Sequence, residues 1–166
     1  MVIRNSLKFG SKMKVNNMVL GLDIGGTKIS SGLFRNGSLT ECMEIKTPAK
    51  SPKEEILATI SHQVEAYRHF NFKAIGIGIP GLVDPINGII YNLANIPSFH
   101  NVNLKKYLEE RFEVPVAINN DANCFALGEY KFGASNIHKH VIGITLGTGI
   151  GTGIIANGHL YTGKLC

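Results

Sequence analysis

The stretch Leu22-Asp23-Ile24-Gly25-Gly26-Thr27-Lys28 determines how the rest of the chain is interpreted. An apolar run ends at Asp23, two glycines turn the chain, and an extended pattern resumes at Ile29. We expect two strands joined by a turn whose backbone N–H groups can bind phosphate oxygens, because glycine has no Cβ to keep a ligand away. The carboxylate of Asp23 would stand where Mg²⁺ and its waters could be held.

Two other glycine motifs with familiar spacings are excluded. Gly21 to Lys28 is close to a Walker A loop, but Thr27 and Lys28 are exchanged and no helical pattern follows. Gly76 to Gly81 spells G-x-G-x-x-G, but Pro80 lies within it, where a dinucleotide-binding motif must open a helix. We therefore interpret the first stretch as something other than a Walker A loop and the second as something other than a dinucleotide-binding motif.

Length and composition are those of an ordinary globular protein. The chain has 166 residues and is 44% hydrophobic, which suits one domain, or one lobe and part of another. Cys42, Cys124 and Cys166 form no C-x-x-C pair, so we expect reduced thiols in a cytoplasmic protein. No apolar run approaches the roughly 18 residues of a membrane span, and no membrane partner is expected.

The positive charge is concentrated at the start of the chain. The net charge is +5, and four of the basic residues, Arg4, Lys8, Lys12 and Lys14, fall in residues 1–17, which hold no acid. The charge therefore does not indicate a nucleic-acid-binding face. We expect residues 1–17 to be a basic, disordered extension, or an upstream start before Met13 or Met18, because they lack the apolar core of a signal peptide.

A three-stranded antiparallel meander is predicted at the start of the ordered chain. Its strands are residues 18–24, 29–35 and 39–46, and Asn36-Gly37 is a typical two-residue hairpin turn. A helix is predicted next, with Ser51 as its cap and Pro52 at its first position. Its apolar stripe consists of Ile56, Leu57, Ile60, Val64, Tyr67 and Phe70.

The remaining chain alternates strands and helices. The predicted elements are, in order, a strand at 74–79, turns over 83–90, a loop over 92–103, a helix capped by Asn103, a strand at 114–118 and a helix over 122–132. A strand at 141–146, a second glycine turn over 147–153 and a hairpin around Asn157-Gly158 follow. The end of the chain thus repeats its beginning, which predicts two related lobes.

The fold class that follows is α/β, with a mixed sheet that opens as an antiparallel meander. We expect a complete N-terminal lobe over residues 18–120 and the beginning of a C-terminal lobe over residues 121–166. The second lobe lacks the helices that would cover its sheet, so the chain is expected to be incomplete.

Five motifs in order resemble the ROK family of sugar kinases and repressors, whose type member is bacterial glucokinase, within the actin-like (ribonuclease H-like) ATPase superfamily. They are Asp23 to Lys28, Gly78 to Asp84, Asn95-Ile96-Pro97, Asn119 to Cys124, and Leu146 to Gly153. Each motif is weak alone, and the five span positions 18–163, about nine-tenths of the chain.

The resemblance implies phosphorylation of a hexose or N-acetylhexosamine by ATP with Mg²⁺. It implies Asp121 as the general base, which takes the proton of the attacking sugar hydroxyl. The implied sugar-binding residues are Gly81, Asn95, Asn120 and Asp121. The implied phosphate-binding residues are Gly25, Gly26, Thr27, Lys28, Gly147, Thr148 and Gly149, with Asp23 holding Mg²⁺ through water.

Structural roles remain open for several of these residues. Asp121 could simply cap its helix, and Lys28 could be a solvated strand residue. Asn119 is interpreted as a turn residue, Asp84 as forming a turn with Pro85, and Cys124 as packing in its helix. His138 and His140 are interpreted as surface residues, because no third ligand accompanies them.

The family's Gly-Glu-x-Gly-His segment, a zinc site and the adenosine pocket would all lie beyond Cys166. We therefore expect this fragment alone to be inactive, and a full-length protein to form homodimers. One alternative is a sugar-responsive repressor of the same family, although only 17 residues precede Met18, too few for a winged helix-turn-helix. Another is a chaperone-type or filament ATPase with the same fold.

Overall fold

A five-stranded mixed sheet forms the centre of the protein. The computed structural model describes residues 18–147 and 149–163. The strands of this sheet are β1 (Val19–Ile24), β2 (Lys28–Arg35), β3 (Ser38–Lys46), β4 (Ala74–Ile79) and β8 (Val116–Asn120). The order is β3-β2-β1-β4-β8, with β1 to β3 antiparallel and β4 and β8 parallel to β1. The predicted opening meander and mixed sheet are confirmed.

Local turn chemistry explains the first hairpin. Asn36 and Gly37 both have positive φ, 52° and 84°, as a type I′ turn requires. Strand β3 is less regular, because the pairing with β2 shifts between Ser31 and Leu33. Glu41, close to this shift in β3, also adopts a left-handed φ of 50°.

Two helices cover one face of the sheet. They are α1 (Lys53–Glu65) and α2 (Leu104–Phe112). Alternation along β1 and β4 directs apolar side chains toward them. The resulting core includes Leu20, Leu22, Ile24, Ile56, Ile60, Ile75, Ile77, Leu104 and Leu108.

The start of α1 differs from the prediction. The capping position is Pro52, without a side-chain cap, so the prediction that Ser51 caps the helix is wrong. The helix also ends at Glu65, and a 3-10 turn (Arg68–Phe70) follows. In contrast, Asn103 caps α2 as predicted, since its side-chain oxygen accepts a 2.9 Å hydrogen bond from the N–H of Lys106.

A small antiparallel sheet lies where only turns and a loop were predicted. It consists of β5 (Leu82–Asp84), β6 (Ile89–Asn92) and β7 (Val102–Asn103). The prediction missed it because the strands are short and the turn between β5 and β6 has strong turn residues. The carboxylate of Asp84 accepts hydrogen bonds from the N–H groups of Ile86 and Asn87, which fits its expected turn role.

The connection that carries the NDAN motif (Asn120–Asn123) is a direct strand-to-helix junction. Strand β8 ends at Asn120 and α3 (Asp121–Phe132) begins at the next residue. The interpretation of Asn119 as a turn residue is therefore wrong: it lies in the strand and is 4% exposed. The strand runs two residues further than predicted, because the side-chain amides of Asn119 and Asn120 find hydrogen-bond partners within the fold.

A second, three-stranded antiparallel sheet ends the described chain. It consists of β9 (Val141–Leu146), β10 (Ile150–Ala156) and β11 (His159–Tyr161), and α3 packs on one of its faces. The second glycine turn is thus shorter than the predicted 147–153. Gly151 and Gly153 belong to β10, where an added Cβ would approach Ala122 and Ala126 of α3 too closely.

Some sequence predictions fall outside the described residues: the extension over residues 1–17, Thr148 and Cys166. Within residues 18–147 and 149–163, no helix is long and apolar enough to cross a membrane.

Candidate active site

A cavity of about 580 Å³ lies between the central sheet and the start of α3. Strands β1, β4 and β8 are parallel, so their carboxyl ends meet at one edge of the sheet. This brings Asp23, at the end of β1, and Asp121, which follows β8, into the lining of the same cavity. The two predicted carboxylates are therefore placed together by topology, although 98 positions of sequence separate them.

The carboxylate of Asp121 is anchored on one side. Its Oδ1 accepts a 2.8 Å hydrogen bond from the N–H of Ala122. The N-cap of α3 is Asn120, whose Oδ1 accepts from the same N–H at 3.0 Å. Asp121 therefore shares a capping contact but does not occupy the capping position. No hydrogen bond to its Oδ2 occurs within the described residues, so this oxygen can accept a proton from a ligand.

The position of Asp23 in the cavity lining changes the pKa of its carboxyl. Partial burial of its carboxyl raises the pKa of Asp23 above that of an ordinary aspartate, because water is removed from the charged form. The negative charge of Asp121 raises the pKa of Asp23 further, and Lys28 opposes the shift. Two neighbouring carboxylates with limited water favour a hard divalent cation such as Mg²⁺. No cluster of three ligating side chains occurs in the described part of the chain.

The first glycine turn is held from outside by Thr47. The Oγ1 of Thr47 donates to the carbonyl of Gly25 at 2.7 Å, and its N–H donates to the carbonyl of Thr27 at 2.9 Å. The N–H of Gly25 is used within the turn, where it donates to the carbonyl of Lys28. Among the described residues, the N–H groups of Gly26 and Thr27 have no acceptor, so they are the ones a phosphate could use.

Lys28 already has a partner at the edge of this turn. Its Nζ lies 2.7 Å from Oε2 of Glu44, which also accepts a 3.2 Å hydrogen bond from Ser30. More than half of each charged side chain is exposed, so the ion pair contributes little to stability. Lys28 can therefore bind a phosphate only by sharing or breaking this pair.

Among the residues predicted to bind sugar, Asn95 lies against the first glycine turn, and Asn120 contacts Gly81. The Nδ2 of Asn120 donates to the carbonyl of Gly81 at 3.2 Å. Gly81 needs to be glycine, since its φ is +89° and a Cβ would overlap the carbonyl of Asn92. A Cβ on Gly26 would likewise overlap the Cβ of Asn95. These contacts place parts of the predicted phosphate and sugar sites side by side.

Comparison with known proteins identifies the family. The sequence pattern described as "ROK family" matches residues 19–165. This chain belongs to the ROK family. The ROK chain is 38% identical to a glucokinase of Thermotoga maritima over 148 residues, which are 88% of this chain and 47% of the relative. It is 40% identical to an N-acetyl-D-glucosamine kinase of Escherichia coli O127:H6 over 149 residues, 89% of this chain and 49% of the relative.

Solved structures agree with this assignment. A ROK glucokinase from Streptomyces griseus, in complex with glucose and AMPPNP, superposes with a TM-score of 0.80 at 38% identity, covering 90% of this ROK chain and 47% of the other. A ROK transcriptional regulator, a homologue of the E. coli MLC protein, superposes with a TM-score of 0.82 at 22% identity, a likeness that concerns the fold alone. The chain spans about half the length of the relatives it matches.

The second glycine turn of the ROK chain is open. The N–H of Gly147 donates to the carbonyl of Gly149 at 2.9 Å, and a Cβ on either glycine would meet nothing within 4 Å. Gly151, which the sequence placed in the same turn, instead allows α3 to approach β10. Among the described residues, no protein atom therefore fills the space where a side chain on Gly147 or Gly149 would begin.

Sequence reasoning missed several residues around the site. Thr47 was interpreted only as the end of the meander, and its burial and its contact with Gly25 carry no local signal in the sequence. Thr145 lines the cavity. Because side chains alternate along β9, Thr145 lies on the same face of the strand as Gly143, which is the face that packs on α3. The apolar wall, made by Phe34, Leu39, Cys42 and Phe125, depends on tertiary packing and carries no local signal.

Proposed function

We propose that the polypeptide carrying this chain transfers the γ-phosphoryl group of ATP to a hydroxyl of a hexose or an N-acetylhexosamine. The observation that carries the proposal is the meeting of Asp23 and Asp121 in one cavity beside the first glycine turn. The similarity to glucokinases and N-acetylglucosamine kinases supports the same chemistry. Because the chain spans about half of those relatives, the activity belongs to the longer protein.

Asp121 is proposed as the general base. As the sugar oxygen bonds to the γ-phosphorus and the bond to ADP breaks, Oδ2 of Asp121 takes the hydroxyl proton. A positioned base of this kind contributes about 10²- to 10⁴-fold in rate. The hydrogen bond from Ala122 to Oδ1 restricts rotation of the carboxylate, which supports this assignment.

The glycine turns are proposed to position ATP. Gly25, Gly26, Thr27 and Lys28 would contact its phosphates from one side, and Gly147, Thr148 and Gly149 from the other. Asp23 would hold Mg²⁺ through water, and the bound ion would neutralise charge on the phosphates. Phosphoryl transfer depends mainly on such positioning and charge stabilisation.

The sugar is proposed to lie against Gly81, Asn95, Asn120 and Asp121. Asn120 retains a second amide hydrogen and a second lone pair for sugar hydroxyls, because each end of its amide makes one hydrogen bond. We further propose two lobes, with 18–120 in the first and 121–166 opening the second. We also propose that the full-length protein is a cytoplasmic homodimer with a structural zinc outside this chain. No nucleic-acid partner is proposed.

The test is a panel of hexoses and N-acetylhexosamines with Mg-ATP, run on the full natural polypeptide that carries these residues. We expect sugar-dependent ADP formation that falls at least 100-fold in Asp121→Asn. Glu110→Gln, an exposed change on α2, is the control and should retain activity. Near-normal turnover of Asp121→Asn would refute the base assignment.

Two other outcomes would replace the proposal. Sugar binding without turnover would favour a sugar-responsive regulator, the family's other function. ATP hydrolysis that does not need a sugar would favour a chaperone-type or filament ATPase.

A further inference from the structure

The junction between β8 and α3 contains a buried pair of amides for which the proposed chemistry has no direct use. Oδ1 of Asn119 accepts a 3.1 Å hydrogen bond from Nδ2 of Asn123 and a 2.8 Å hydrogen bond from the N–H of Asn120. Asn119 and Asn123 are only 4% and 7% exposed. Burying amides costs free energy unless they are hydrogen-bonded, so this pair constrains the geometry around it.

The two residues of the pair flank Asp121 along the chain. Asn119 is two residues before Asp121 in β8, and Asn123 is two residues after it in the first turn of α3. The strand becomes a helix at Asn120 without a loop, so the direction of the Asp121 side chain depends on the angle between the two elements. The Asn119–Asn123 hydrogen bond joins the strand to the helix across that angle.

The same helical turn also contacts the second sheet. A Cβ on Gly153 of β10 would come within 3.0 Å of Cα of Asn123. The thiol of Cys124 lies 3.8 Å from the carbonyl of Asn119. The amide pair is thus at the place where the central sheet, α3 and the second sheet meet, and a shift of α3 would move Asp121 relative to Asp23.

We propose that the Asn119–Asn123 amide pair is a positioning element that fixes the strand-to-helix angle and thereby directs the carboxylate of Asp121 into the cavity. This inference rests on the proposed function. Neither amide touches the reacting atoms. Their loss is expected to lower kcat and to leave the KM for sugar nearly unchanged, because misplacement of a catalytic group by about 1 Å can cost about 100-fold.

The test compares Asn123→Leu with Gln63→Met in the full natural polypeptide that carries these residues. Asn123→Leu removes one donor to Asn119 and leaves the N–H of Asn120 satisfied. Gln63→Met is the matched control, since Gln63 is a buried amide, 2% exposed, that donates at 2.6 Å to Ser31 of β2, which lines the same cavity but lies outside the junction between β8 and α3. Asn123→Ala is a second variant in case leucine prevents folding.

Two readouts are measured alongside Tm: amide hydrogen exchange at Asn120 and Ala122, and sugar kinase kinetics. We expect Asn123→Leu to speed exchange at the junction and to lower kcat about 10- to 100-fold, with KM within about threefold. Gln63→Met should cause a similar loss of Tm without either effect.

The outcomes separate this inference from the proposed function. Unchanged exchange at Asn120 and Ala122 in both Asn123 variants would overturn the positioning role, whether or not the protein is a kinase. A kcat that stays at the wild-type level despite faster exchange would also overturn it. If instead the parent shows no sugar-dependent turnover, the proposed function fails, and with it the role of Asp121 that the pair would serve.

Discussion

The two antiparallel meanders of the molecule have the same plan and different surroundings. In both β1-β2-β3 and β9-β10-β11, a glycine turn follows the first strand and an Asn-Gly hairpin follows the second. The first meander is widened by β4 and β8 and buried on one face by α1 and α2. The second is packed against α3 on one face and exposes large apolar side chains on the other: Ile142, Ile144, Leu146, Ile150 and Ile154.

The difference shows which properties a repeated pattern can specify. Turn residues act locally, so Asn36-Gly37 and Asn157-Gly158 give equivalent hairpins in both places. Burial depends on which elements cover a sheet, so an isoleucine has a different energetic role in the central sheet and in the second sheet. Matched substitutions in the two sheets test this distinction.

The largest expected effect comes from removing an isoleucine side chain in each sheet. Ile77 in β4 is fully buried, whereas Ile144 in β9 is 56% exposed. We expect Ile77→Ala to lower the free energy of unfolding by about 2–5 kcal/mol, because it leaves a cavity in the core. Ile144→Ala should change it by less than about 0.5 kcal/mol.

Urea denaturation of this 166-residue chain measures both values. Equal losses for the two variants would mean that the outer face of the second sheet is covered in solution, and the comparison between the sheets would fail.

A smaller effect is expected from adding one methyl group to a glycine of each sheet. In Gly153→Ala the new Cβ would crowd Ala122 and Ala126 of α3, which should cost about 1–3 kcal/mol. In Gly21→Ala the nearest atom is the carbonyl oxygen of Gly32 at 3.6 Å, an ordinary contact, so stability should be kept. Thermal unfolding of the two variants checks this, and a stable Gly153→Ala would show that α3 does not pack tightly on β10.

These glycines illustrate what sequence could and could not predict about the fold. The bounds of β4 and β9 were predicted correctly, because continuous apolar runs with clear ends indicate strands. Gly151 and Gly153 were assigned to a turn, since glycine usually breaks strands, whereas here it permits close approach of a helix. The end of β8 was also missed, because the partners that bury Asn119 are not visible in the sequence.

The candidate site likewise has some features that the sequence predicts and others that it does not. The meeting of Asp23 and Asp121 could be predicted because each motif lies at a strand end, and parallel strand ends share an edge. The pairing of Lys28 with Glu44 could not, because it depends on the register between β2 and β3, which includes an irregular step. The support that Thr47 gives to the first glycine turn likewise joins segments 22 positions apart.

The smallest expected effect concerns the carboxyl of Asp23, at the glycine turn of the first meander. The second meander has Leu146 before its turn and no acidic group. Because the folded-state pKa of Asp23 is raised above 3.8 by partial burial and by Asp121, the folded state binds the proton more tightly than the unfolded state. Stability from this group is thus fully present below pH 3.8 and is lost as the pH rises through the folded-state pKa.

At pH 7, without a divalent cation, the ionised carboxylate of Asp23 therefore opposes folding, and Asp23→Asn should raise Tm. The increase should be on the order of 1 °C, because solvent screens much of the shift. Leu146→Ala removes an exposed side chain at the corresponding place in the second meander and should show no such pH dependence. Melting curves between pH 4 and pH 8 measure the effect, and Mg²⁺ should reduce or reverse it if the ion binds beside Asp23. A Tm of Asp23→Asn below that of the parent at pH 7 would mean that the carboxylate stabilises the turn. The two meanders would then differ at this position by more than the charge of Asp23.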